Sequence, residues 1–367
     1  MWRLARSDAI TVWANPLVTQ RFQRYKAIID LSLPAKYLIA RNTPVDFDPV
    51  ETIANLWNTH QRIREEFKKQ LEALTNKTLD PSQKLASTSF LDLKAVLANR
   101  ILHECHFCAR RCNIDRAKNL GFCEVSHSSY VSSAFLHTGE EPPLVPSGTI
   151  FFSGCNLRCA HCQNYDISCN PLNGELVSPK QLAKIADELA SRGAKNINYV
   201  GGDPTPHLHT ILSSLSKQQF NITQLWNSNM YLSPEAMELL IDVIDFWLPD
   251  LKYLSDECAS RISNVNNYTS VVTRNIKTAY DKSTTEMIIR VLVLPNHLEC
   301  CVLPILDWIA ENTPLALVNI MQQYRPLWQV LKNPKKYQDI SRRVTSQEMN
   351  QAYAHAKKLD LEFRSVS

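Results

Sequence analysis

Six short apolar runs, each followed by a stretch able to form a helix, constrain the fold of this chain most tightly. They occupy residues 149–152, 196–200, 223–226, 246–249, 287–294 and 315–321. Strands that alternate with helices pair in parallel, because a parallel connection needs a crossover long enough to hold a helix. Runs that are apolar throughout, and not only at alternate positions, are covered on both faces. Start and stop signals mark the intervening helices. Ser178-Pro179 opens one whose apolar stripe is Leu182, Ile185, Ala186 and Leu189, and Gly193 ends it. Ser233-Pro234-Glu235 opens another, and Thr345 with Glu348 forms a capping-box pair at the head of a last helix. The expected fold is α/β: an open, partial (β/α)6 barrel.

Sites in such barrels lie at the C-terminal ends of the strands. The first run leads directly into Ser153-Gly154-Cys155-Asn156-Leu157-Arg158-Cys159-Ala160-His161-Cys162-Gln163-Asn164, a CxxxCxxC spacing. Three thiolates on one loop can hold three irons of a four-iron cubane and leave the fourth iron open to a small molecule. A zinc site completed by His161, or a buried apolar cluster, uses the same residue types. Zinc sites more often show paired CxxC knuckles, and the apolar strand entering the loop favours iron–sulfur.

With residues 147–155 and 162–165 around it, this motif resembles the radical S-adenosylmethionine (radical SAM) enzymes. Within them it is similar to proteins related to the pyruvate formate-lyase activating enzymes. The resemblance covers roughly residues 105–330. It implies a radical SAM barrel, a [4Fe-4S] cluster on Cys155, Cys159 and Cys162, and S-adenosyl-L-methionine as cofactor. One departure is His161, which stands where the family commonly has an aromatic residue before the third cysteine.

The resemblance also suggests roles at the later strand ends. Gly201-Gly202-Asp203 is similar to the motif that holds the methionyl amino group: glycines allow close backbone approach, and an acid suits an ammonium. Taken alone it is a turn signal. Asn227, Ser228 and Asn229 can hydrogen-bond the ribose or carboxylate, or serve as a loop with Asn turn chemistry. Asp250 and Lys252 match a segment lining the cofactor or substrate cavity, where Lys252 pairs with the methionyl carboxylate or with a neighbouring acid. Arg290, flanked by Ile288, Ile289, Val291 and Leu292, is costly to bury unpaired. Its partner is either the cofactor or an acid of a neighbouring strand. His297 on the next loop, and Asn319, Gln323 and Tyr324 after the last strand, are further candidates for the pocket. All eight glycines lie between Gly121 and Gly202, which marks crowded backbone around the motifs.

Ahead of the barrel, Cys105, Cys108, Cys112 and Cys123 form a CxxCxxxC group with a fourth cysteine further on, a second metal site. Structural zinc and a fully ligated second [4Fe-4S] cluster both suit four thiolates. Cys169, Cys258, Cys300 and Cys301 are expected to be unligated, since adjacent Cys300 and Cys301 do not easily reach one ion.

The 11 cysteines, odd in number and grouped at ligand spacings, indicate a reducing, cytoplasmic compartment and metal binding in place of disulfides. A net charge of +4 with mixed signs gives no case for nucleic acid, and the lack of a long apolar run none for a membrane. Arg3, Arg6, Arg21 and Arg24 give the start a transit-peptide flavour, but an ordinary helical N-terminus is the preferred reading. The expected organisation has a helical extension over 1–88, with a linker-like patch at 75–82. A helix and the four-cysteine segment follow over 89–130, the barrel over 131–330 and a helical tail over 331–367. The expected activity is reductive cleavage of S-adenosylmethionine and hydrogen abstraction from a peptide or small-molecule substrate, with a ferredoxin or flavodoxin as electron donor. Activation of a glycyl-radical enzyme is one alternative; a non-catalytic zinc-binding interaction protein is the other.

Overall fold

The computed structural model describes residues 5–76, 86–283 and 286–367. Arg3 and most of the expected linker, residues 77–82, lie outside the described residues. One mixed sheet of eight strands organises the molecule, in the order β3-β1-β2-β4-β5-β6-β7-β8. The strands are β1 (Ser129–His137), β2 (Ser147–Phe152), β3 (Glu175–Val177), β4 (Asn196–Gly201), β5 (Thr223–Ser228), β6 (Phe246–Pro249), β7 (Glu286–Leu292) and β8 (Leu317–Met321). The six expected strands are β2 and β4 to β8, and they pair in parallel. β1 runs antiparallel to both β2 and β3 and was not expected. Its burial alternates, and Ser129, Ser132 and Ser133 dilute its apolar signal, as suits a strand near a sheet edge. β3 and β8 end the order, so strand pairing leaves the sheet open.

Helices fill the crossovers where the start signals place them. Pro179–Ser191 begins with a capping box between Ser178 and Gln181, and Ser346–Lys358 with one between Thr345 and Glu348. Each box satisfies N-terminal N–H groups that have no partner within the helix.

The two-residue period of the strands sorts one face of the sheet into levels. Leu225, Leu248, Ile288 and Leu317, together with Phe246, form an apolar cluster with Val12, Val18, Phe22 and Tyr25 of the N-terminal segment. Two residues further along the same strands stand Asn227, Asp250, Arg290 and Asn319. The rings of Phe22 and Tyr25 lie 5.0 and 5.2 Å from that of Phe246. The Arg24 and Tyr25 N–H groups donate to Glu286 Oε1 at 2.7 and 3.2 Å, which pins the segment to the start of β7. The N-terminal segment is therefore an apolar floor under a polar level.

Two longer helices, Ile53–Thr75 and Phe90–Ile101, pack outside the sheet. Lys94 Nζ lies 2.8 Å from Asp242 Oδ2 and 2.9 Å from His60 Nε2, and Arg64 Nε donates to Asp242 Oδ1 at 3.1 Å. A buried charge is tolerable when paired in this way. Among the described residues no helix is long and apolar enough to cross a membrane.

Candidate active site

β2 delivers the CxxxCxxC loop to the end of the sheet at which the polar level lies. Cys155, Cys159 and Cys162 line a cavity of about 240 Å³ there. Gly201, Gly202, Asp203, Asn227, Ser228, Asn229, Asp250, Lys252 and Arg290 line the same cavity, contributed by the ends of β4, β5, β6 and β7. Gln323 also reaches it. Tyr324 instead turns inward and its hydroxyl donates to Ile340 O at 2.6 Å.

Each sulfur of the triad has a polar side chain beside it. Asn229 Nδ2 is 3.9 Å from Cys155 Sγ, Ser263 Oγ is 3.0 Å from Cys159 Sγ and Ser168 Oγ is 3.4 Å from Cys162 Sγ. Hydrogen bonds to ligand sulfurs are one way a protein sets the properties of an iron–sulfur cluster. Burial pushes the Cys155 and Cys159 thiols up, and the Cys162 thiol up to about 11 with the Cys159 sulfur adding to it. A bound metal ion would displace the protons of such thiols to solvent and hold the thiolates. Three sulfurs with donors, facing one cavity, fit the ligand set of a four-iron cluster.

The walls differ in detail from what the sequence suggested. A Cβ on Gly202 would run into the Gly154 carbonyl, and one on Gly201, at φ +133°, into the backbone of Phe152. These glycines let the end of β4 lie against the cysteine loop itself. The Asp203 carboxylate accepts from Thr205 N–H at 2.9 Å, Ser228 Oγ at 3.1 Å and Asn229 N–H at 3.0 Å. It is already engaged by its own chain, fastening the β4 and β5 ends together. Lys252 Nζ pairs with Asp250 Oδ2 at 2.7 Å. His161 is buried with its ring against Tyr324 at 5.5 Å.

For Arg290, the neighbouring-acid reading is the one the geometry presents. Its Nε donates to Glu141 Oε1 and its Nη2 to Glu141 Oε2, both at 2.7 Å, and Nη2 also binds Glu140. The acids come from the β1–β2 connection and not from an adjacent strand. Asn319 Nδ2 joins them, donating to Glu141 Oε1 at 2.7 Å. Burial opposes ionisation of Glu140, but Arg290 and His137 outweigh it and hold this carboxyl at about 2. Arg290 thus keeps a face on the cavity while its charge is balanced within the protein.

Cys105, Cys108, Cys112 and Cys123 gather beside the triad loop. A Cβ on Gly154 would come within 3.3 Å of Cys123 O. Burial pushes the Cys108 thiol up to about 12, and Cys123, Cys105 and Cys112 add to the shift, so the four thiols lie within electrostatic reach of each other. Arg110 ties this segment to the triad loop by donating from Nε to Asn156 O at 2.6 Å. Arg116 donates to the Val125, Ser126 and Pro206 carbonyls, and Arg111 pairs with Glu235.

The expectation that Cys258, Cys300 and Cys301 are unligated needs correction. Their sulfurs and a His297 ring nitrogen all lie within 4.8 Å of one another, a grouping able to hold a metal ion. The adjacent cysteines converge because residues Leu298–Val302 form a π turn. The N–H groups of both Cys301 and Val302 donate to His297 O at 3.1 Å. The wider turn changes the angular step between neighbours and brings Cys300 and Cys301 to one side. His297 belongs to this cluster and does not line the cavity. Cys169 is not part of this cluster; its Sγ is 3.7 Å from Ser168 Oγ, the hydroxyl that also lies beside Cys162 Sγ.

Residues 149–309 match the description of the Radical SAM superfamily. The chain is 41% identical over 351 residues to an uncharacterized protein of Methanocaldococcus jannaschii, covering 92% of this chain and 98% of that one. A second uncharacterized protein of the same organism is 24% identical over 156 residues, 37% of this chain and 46% of that one. Among solved structures, Streptococcus suis SuiB bound to S-adenosylmethionine aligns at a TM-score of 0.43 and 14% identity, over 57% of this chain and 47% of that one. A domain of a pyruvate-formate lyase-activating enzyme from Bacteroides vulgatus aligns at 0.31 and 12%, over 50% and 89%. The alternative of a non-catalytic zinc protein falls with the family match. The chain belongs to the radical SAM superfamily and is an enzyme of that kind.

Proposed function

We propose that this enzyme uses its cavity to cleave S-adenosylmethionine and to take hydrogen from a peptide or small molecule bound above it. The observation that carries the proposal is the triad: three thiols lining one cavity, Cys155 buried and Cys159 and Cys162 partly buried, each with a polar side chain beside its sulfur. A reduced four-iron cluster with one open iron, when bound there, supplies the electron that breaks the sulfonium bond and yields methionine and a 5′-deoxyadenosyl radical. Cys155, Cys159 and Cys162 hold it as thiolates. Gly201 and Gly202 bring backbone carbonyls to the cofactor side of the cavity, and Asp203 fixes the Ser228-Asn229 turn that completes it. Lys252, balanced by Asp250, presents a cation where a carboxylate would lie. Burial of the site excludes water from a reactive radical.

In this reading the Cys105 group holds either structural zinc or a second four-iron cluster, with a ferredoxin or flavodoxin as donor in the cytoplasm. The motif resembles that of proteins related to the pyruvate formate-lyase activating enzymes. The helical extension and the second cysteine group, absent from the simplest activating enzymes, favour a substrate other than a glycyl-radical enzyme.

The test is anaerobic incubation of the reconstituted protein with dithionite and S-adenosylmethionine. Release of 5′-deoxyadenosine is expected, and its absence from iron-loaded protein would defeat the proposal. Changing Cys155, Cys159 and Cys162 to Ala is expected to abolish release. Iron analysis gives about eight irons per chain for two cubanes and about four for one. Deuterium carried from labelled candidates into 5′-deoxyadenosine identifies the substrate; label arriving from a backbone glycine of a partner protein would restore the activating-enzyme alternative.

A further inference from the structure

The cluster of Cys258, His297, Cys300 and Cys301 lies outside the cavity and has no part in the reaction just described. Its distances are informative. Cys258 Sγ is 3.8 Å from Cys300 Sγ and 3.5 Å from His297 Nδ1, and His297 Nδ1 is 3.2 Å from Cys300 Sγ. Cys301 Sγ completes the set within 4.8 Å. A tetrahedron with metal–sulfur bonds of about 2.3 Å and a metal–nitrogen bond of about 2.0 Å has sulfur–sulfur edges of roughly 3.8 Å and sulfur–nitrogen edges of roughly 3.5 Å. Cys258 Sγ, Cys300 Sγ and His297 Nδ1 therefore sit close to three corners that one tetrahedral ion requires, with Cys301 Sγ near enough to supply the fourth. A cubane would hold its four protein ligands farther apart, each on its own iron.

The histidine is also prepared for this. A carboxylate only accepts hydrogen bonds, so Asp339 Oδ2, 2.8 Å from His297 Nε2, fixes the proton on Nε2. That leaves the Nδ1 lone pair directed at the three sulfurs. A carboxylate behind a ligating histidine is a recurrent partner in zinc sites, where it sets tautomer and ring orientation. Arg261, paired with Asp339 and 3.4 Å from His297 Nε2, adds a positive charge beside the three thiolates. Soft sulfur and imidazole ligands in tetrahedral array select zinc among common single ions.

We infer that Cys258, His297, Cys300 and Cys301 bind one zinc ion in a closed, structural Cys3His site. The ion joins the helix Asp256–Ser263, the π turn after β7 and, through Asp339, the C-terminal segment. It also braces the triad loop. At the far end of that helix Ile262 O and Ser263 O accept the Ala160 and Arg158 N–H groups at 2.7 and 3.1 Å.

Full-length protein, isolated anaerobically with its iron, is analysed for zinc and iron together. About one zinc per chain is expected to disappear in Cys258→Ser and in the double variant Cys300→Ser/Cys301→Ser, relative to the parent. Any zinc on the Cys105 group cancels in this difference. A parent without zinc, variants that keep all of it, or iron as the bound single ion would overturn the assignment. If the variants do not fold, the parent is alkylated with iodoacetamide before and after chelation. Cys300, the exposed member, is expected to react only after the chelator, and added zinc should restore its protection. Equal labelling in both states would overturn the assignment as well.

Discussion

At the scale of single residues, the site shows how few side chains are left free to do chemistry alone. Asp203 accepts three hydrogen bonds from its own chain. Asp203→Asn replaces an accepting oxygen with a donating nitrogen facing N–H and O–H groups, which should cost about 1–3 kcal/mol. Chemical denaturation measures that loss, and 5′-deoxyadenosine release should fall with it. Arg290 makes a similar case with charges. Arg290→Met leaves Glu141 buried without its cation and removes one of the two charge partners of Glu140, His137 staying at 3.0 Å, at a cost of about 3–5 kcal/mol. The pH dependence follows from the same pair. Glu140 has its folded pKa lowered from 4.5 to about 2, so its contribution is present above about pH 4.5 and is lost as pH falls toward 2. Melting temperature across that window should drop in the parent and drop less in Arg290→Met. The triad and the glycine motif were legible in the sequence because ligand spacing and strand position together leave little freedom. The partners of Arg290 were not, because Glu140 and Glu141 lie about 150 residues away in the chain and no local pattern connects them.

At the scale of elements, apolar runs and capping residues located the six parallel strands and the main crossover helices. Three elements escaped: β1, the three-residue β3 paired with it, and a π turn. β1 alternates in burial and carries several serines, so its period is visible only once β2 is placed beside it. The π turn at Leu298–Val302 breaks the helical period on which side-chain placement from sequence depends, and with it the argument that adjacent cysteines cannot converge. Glu286 couples two further elements. Burial raises its carboxyl from 4.5 to about 7, while it accepts the Arg24 and Tyr25 N–H groups. A raised folded pKa gives stability that is present below about pH 4.5 and lost as pH rises through about 7. Denaturation midpoints should therefore decline between those values, and Glu286→Gln should flatten the decline.

For the whole molecule, the N-terminal extension is part of the architecture. Val12, Val18, Phe22 and Tyr25 cover the inner apolar ends of β5 to β8. The sequence marked these helices but not their destination, since an apolar helix face does not name the surface it covers. Phe22→Ala should cost about 3–5 kcal/mol through lost burial and the cavity left behind. Thermal unfolding reads this, and iron content per folded chain should stay constant because the triad is at the other end of the strands.

That floor also dictates traffic. The aromatic rings cover the sheet at the end away from the cysteine loop, so reagent and substrate are expected to arrive from the loop's end. Sharing that approach would make them bind in order, and product-inhibition patterns in steady-state kinetics should show it; random-order patterns would speak for separate entrances.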